Sequence, residues 1–116
     1  MKKLLIAAII SLSSVTTAAV AEVKVGIILG FTGPIESLTP AMRDGARMAF
    51  DEASNSGNLL GGETITILEA DSTCVDSAAA TAAAEQLVAD GVAAIMGADC
   101  SGAVSYTHLT LPTTEA

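Results

Sequence analysis

The chain has 116 residues, with 5 Lys+Arg against 13 Asp+Glu and a formal charge of -8. That balance argues against a nucleic-acid partner, because binding phosphate needs a basic face. At 51% hydrophobic it is too apolar for a disordered acidic tail, and its length allows one domain at most. Two cysteines and the single His108 fall short of the four ligands of a structural zinc site, so no metal is expected. No cofactor is expected either.

Residues 1–21 have the layout of a secretory signal peptide. Lys2 and Lys3 give a positive start, Leu4 to Ile10 form an apolar run, and Ala19-Val20-Ala21 makes a small-x-small cleavage site. The run is much shorter than the roughly 20 residues of a membrane-spanning helix. No cysteine stands at the cleavage point, so a lipoprotein is not expected. Beyond residue 21 only Lys24, Arg43 and Arg47 oppose 13 acids, a net charge of -10. The expectation is an exported acidic protein in an oxidising compartment.

Val23 to Leu29 (VKVGIIL) is β-branched and nearly all apolar, as a strand covered on both faces should be. Gly30 to Pro34 break it into a loop. Thr39 is a plausible N-cap, with Pro40 at the first helical position. Met42, Ala46, Ala49 and Ala53 then recur at helical spacing, with Arg43, Asp44, Arg47 and Asp51 on the wet side. Arg47 is spaced to pair with Asp44 or Asp51, and Gly57 is a left-handed stop.

Thr64 to Ala70 (TITILEA) reads as the second strand, entered through Gly61-Gly62. Asp76 is a good N-cap for a helix over 77–90 that stops at Gly91. Val92 to Gly97 (VAAIMG) is the third strand. The pattern predicts an α/β, three-layer parallel sheet of Rossmann-like β-α-β-α-β order, with right-handed crossovers.

In such a sheet, ligands bind beyond the carboxyl ends of the strands. The loops there are Gly30 to Leu38, Asp71 to Val75 and Ala98 to Gly102. Gly30-Phe31-Thr32-Gly33 lacks the dinucleotide-binding spacing, and no P-loop motif occurs. Asp71 reads as a loop carboxylate bonding its own backbone rather than a phospho-acceptor. The body between residues 22 and 103 contains no histidine, so no Ser–His or Cys–His pair can form, and an enzyme is not expected.

VKVGIILG, FTGPIESLTPAMRDGARMAF, DSTCVDSAAATAAAEQLVADGV and IMGADCSG together resemble the periplasmic leucine/isoleucine/valine-binding proteins of ABC importers. The resemblance covers residues 22 to about 103. It implies a type I periplasmic-binding (Venus-flytrap) fold, of which these residues form the first half of lobe 1. It also implies a monomeric, non-catalytic solute-binding component that delivers an amino acid, branched-chain or similar, to membrane permease subunits from the periplasm. Related folds serve as ligand-sensing domains of receptors, and relatives bind amides or urea; a secreted hydrolase or other α/β enzyme is the reading from a third class.

On that resemblance, Ser101 and Gly102 hold the ligand α-carboxylate where the next helix begins. Leu38 stands where some members place a large aromatic against the ligand side chain. Asp99 is acceptable there only if its carboxylate points away from the anion. The family and the export signal imply a Cys74–Cys100 disulfide, with free thiols as the alternative. If strand one lies between strands two and three, the loops must lean together, because two strand spacings are roughly 9.5 Å and a disulfide spans about 7 Å at most. Residues 104–116 (VSYTHLTLPTTEA) break the pattern and look like a translated sequencing adapter, so Tyr106 and His108 carry no role.

Overall fold

The computed structural model describes residues 22–104. The proposed signal peptide lies outside the described residues, as does the proposed non-native tail except for Val104. Five main elements follow in order: β1 (Glu22–Leu29), α1 (Thr39–Asn55), β2 (Thr64–Asp71), α2 (Ser77–Ala89) and β3 (Ala94–Met96). The sheet order is β2-β1-β3, and both pairings of β1 are parallel. The chain is therefore an α/β fold with the expected strand-helix alternation, and the first strand is the central one.

That position explains the composition of β1. Val25, Ile27, Ile28 and Leu29 are all buried, because helices cover both faces and strands flank both edges. The register puts Gly26, Leu68 and Ile95 on one face, and Ile28 opposite Ala70 on the same face. There Ile28 packs with Ala84 and Leu87 of α2, and Leu68, Ala70, Val92, Ile95 and Ala98 surround them. Gly26 makes room for this contact, since a Cβ on it would lie 2.9 Å from Cδ1 of Leu87. On the other face, α1 is tied to β2 through Arg47, whose guanidinium donates to Glu69. The result is three layers.

Several local expectations need correction. The N-cap of α1 is Leu38, without a side-chain cap, and the hydroxyl of Thr39 donates to the carbonyl of Glu36 instead. Thr39 is fully buried, so packing fixes it inside the helix one residue earlier than its capping preference suggested. Met42 and Ala49 are exposed rather than inward, while Ala46, Phe50 and Ala53 are half-buried. Arg47 pairs with Glu69 across the helix–sheet contact rather than with Asp44 or Asp51, and Asp44 pairs with Arg43. Such partly exposed pairs are worth about 0–1 kcal/mol. The strand expected over 92–97 shortens to Ala94–Met96, since Val92 turns into the α2 core and the backbone departs from extended geometry at Gly97, with φ 123°.

The stop and start signals around α2 act as the residues dictate. Oδ1 of Asp76 accepts the N–H groups of Ala78 at 2.9 Å and Ala79 at 3.1 Å, two donors that the first helical turn leaves unpaired. Gly91 follows at φ 84°, a left-handed stop that costs a glycine little.

Candidate functional site

The loops after β1, β2 and β3 meet at the carboxyl edge of the sheet, and two carboxylates organise them. Asp71 closes β2. Its Oδ1 accepts the N–H of Thr73 at 2.8 Å and that of Thr32 at 3.2 Å, and its Oδ2 accepts the Thr32 hydroxyl at 2.6 Å. Burial pushes the Asp71 pKa up, but the bonds from the Thr32 side chain and the Thr73 and Thr32 backbones outweigh it. The carboxyl lies below its ordinary value. Asp71 does bond its own loop, as expected, and it also reaches the loop after β1.

Asp99 follows β3 on the other flank. Both of its oxygens accept the N–H of Gly30, at 3.1 and 3.0 Å. Its carboxylate is thus turned into the loop after β1.

Cys74 and Cys100 form a disulfide with a Cα–Cα distance of 5.1 Å. The two loops lean together over the end of β1, as that strand order requires. Thr73 and Cys74 both have left-handed backbones, at φ 57° and 70°. For a β-branched residue such as Thr73 this is strained, costing about 1–3 kcal/mol per residue. The Asp71 bond to the Thr73 N–H and a Val75 N–H to Thr73 carbonyl bond of 2.9 Å hold the turn. The buried Thr73 hydroxyl has no hydrogen-bond partner among the described residues.

Ser101 and Gly102 lie in a turn directly after the disulfide, and both are exposed. The N–H of Ala103 bonds the Cys100 carbonyl at 3.0 Å, which closes that turn. Gly102 has a packing reason to be glycine: a Cβ there would stand 2.9 Å from the carbonyl oxygens of both Cys74 and Val75. The helix expected to begin beside Ser101 would run into residues outside those described. Leu38 shares the same sheet edge, at the start of α1, and is 60% exposed. The disulfide brings Ser101 and Gly102 beside the 74–75 turn, while Leu38 belongs to the β1–α1 side of the edge.

Thr32 and Gly30 were not singled out by the sequence reading. Their role depends on partners 39 and 69 residues away. The available signal was topological: Asp71 and Asp99 each stand at or just past the end of a strand flanking β1. Among the described residues, no group of three or more His, Cys, Asp or Glu could hold a metal ion.

The profile of the family described as "Periplasmic binding protein" matches residues 22–108. The chain belongs to the periplasmic binding protein family. It is also similar to the Leu/Ile/Val-binding protein BraC3 of Rhizobium johnstonii, with 29% identity over 82 residues. That match covers 71% of this chain but 22% of the relative, so the chain spans about a fifth of the length of that protein. The matched region includes all three loops at the carboxyl edge of the sheet.

Proposed function

We propose that the chain is the first-lobe segment of a periplasmic solute-binding protein that captures an amino acid, branched-chain or similar, for an ABC importer. The observation that carries this reading is the family match across residues 22–108, which contains every loop at the ligand-binding edge of the sheet. Support for an amino-acid ligand comes from the similarity to a Leu/Ile/Val-binding protein. In this reading Ser101, on the exposed turn after the disulfide, donates its hydroxyl to the ligand carboxylate. Gly102 lets that turn approach the 74–75 backbone, and Leu38 offers apolar surface to the ligand side chain. Export by the segment 1–21, delivery to membrane permease subunits and a monomeric state complete the proposal.

The test begins with the complete reading frame that holds this segment. Its purified product, titrated calorimetrically with a panel of amino acids, amides and urea, should bind an aliphatic amino acid with saturable heat. Saturable binding of only amides or urea would overturn the amino-acid assignment. A signalling domain in the same reading frame would replace the importer by a receptor.

A further inference from the structure

The loop between β1 and α1 is held by its own backbone from both sides. Because β1 lies between β2 and β3, Asp71 and Asp99 reach that loop from opposite flanks of the sheet. Asp99 takes the N–H of Gly30, and Asp71 takes the N–H and the hydroxyl of Thr32. The ion pairs among the described residues join Arg43 to Asp44 and Arg47 to Glu69, so loop donors rather than cations satisfy these two carboxylates. The disulfide between the same flanking loops closes over Gly30, whose Cβ position would be 2.9 Å from the Cβ of Cys74.

We propose that Asp71 and Asp99 are positioning residues of the binding site, which set ligand affinity by fixing the β1–α1 loop backbone without touching the ligand. This rests on the ligand-binding reading above. The chemistry distinguishes the role from direct contact. The N–H groups of Gly30 and Thr32 are already committed to carboxylates, so they are not offered to an anionic ligand. A loop fixed before the ligand arrives loses less conformational entropy on binding than one ordered by it.

The substitutions at Asp71 separate geometry from charge. In Asp71→Asn the amide oxygen still accepts both N–H groups, and the amide NH2 donates to the Thr32 hydroxyl, which can accept. In Asp71→Ala all three bonds are lost. The experiment uses the complete protein and reads two quantities: hydrogen exchange at the Gly30 and Thr32 amides, and affinity for leucine, isoleucine and valine. Asp71→Ala should speed exchange at Thr32, and Asp99→Ala at Gly30. Each should weaken binding by about tenfold, the scale of one lost hydrogen bond to a charged group. Asp71→Asn should stay within about threefold of the wild type, since its bonds become neutral rather than vanish.

Equal losses in Asp71→Asn and Asp71→Ala would overturn positioning in favour of a charge contact with the ligand. Unchanged exchange and affinity in both alanine variants would overturn the clamp itself. Should the alanine variants fail to fold, Thr32→Val, which removes one hydroxyl, gives the same readout: unchanged affinity and exchange there overturn the Asp71 clamp. If the wild type binds no amino acid while the alanine variants still exchange faster, the ligand reading fails and the clamp stands.

Discussion

Gly30 lies against Cys74 so closely that a Cβ on the glycine would sit 2.9 Å from the Cβ of the cysteine. The next-nearest atoms are the Cys74 backbone nitrogen and Cα, at 3.4 and 3.5 Å, and a disulfide anchors that backbone. Neither side can retreat freely. Gly30→Ala in the complete protein should therefore cost about 1–3 kcal/mol, the usual range for overpacking. Urea unfolding would check this, and an unchanged midpoint would show that the loop yields.

The disulfide closes a loop with a sequence separation of 26 residues. On the chain-entropy relation it should contribute about 3.5 kcal/mol. The double variant Cys74→Ser/Cys100→Ser of the complete protein should unfold at correspondingly lower denaturant. The intact protein should show no alkylatable thiol from this pair by mass without reductant. Two modified thiols would contradict the pairing.

Ser101 is exposed beside the disulfide, on the turn that the Ala103 N–H closes onto the Cys100 carbonyl. Ser101→Ala should weaken amino-acid binding by about 1–3 kcal/mol, the value of a hydrogen bond to a charged group. It should leave the thermal midpoint of the unliganded protein almost unchanged. Unaltered affinity with a lowered midpoint would make Ser101 a structural cap.

Asp71 gives an acid-dependent prediction with a definite sign. Its folded-state pKa is lowered below the ordinary 3.8. The stability it contributes is therefore fully present above that value, and is lost as pH falls through the lower folded-state value. The modest stability advantage of the wild type over Asp71→Asn should shrink as pH falls below the ordinary 3.8 and through the lower folded-state value. Paired melts across that range check it; a constant difference would remove the linkage.

Residues 22–104 on their own leave the outer edges of β2 and β3 unpaired among the described residues, and expose Leu38, Met42, Met48, Leu60 and Val75. Open edges and exposed apolar side chains promote association. Expressed alone, the segment should aggregate or remain partly unfolded by size-exclusion chromatography and circular dichroism. A monomer with one cooperative melt would contradict that.

What sequence patterns disclose here is what short range determines. β1 and β2 fall within one residue of their expected limits, because β-branched runs bounded by Gly and Pro define them. Asp76 caps α2 because its partners are two and three residues away. Thr39, by contrast, has a capping residue's chemistry but a core residue's burial, and burial decided. Arg47 had two spaced carboxylates on its own helix, yet chose Glu69 on a strand that only the tertiary fold brings near. The clamp on Gly30 and Thr32 was hidden for the same reason, since nothing local marks a donor whose acceptor arrives 69 or 39 residues later.

The central strand is the first of the three along the chain, and this orders events as the polypeptide folds. β1 has no neighbour to pair with until β2 follows, and its second edge waits for β3. Cys74 and Cys100 belong to segments on opposite sides of β1, and become neighbours only once that strand has been enclosed. Covalent closure of the pair thus acts as a seal applied after assembly, joining the two flanking segments across a strand already enclosed between them.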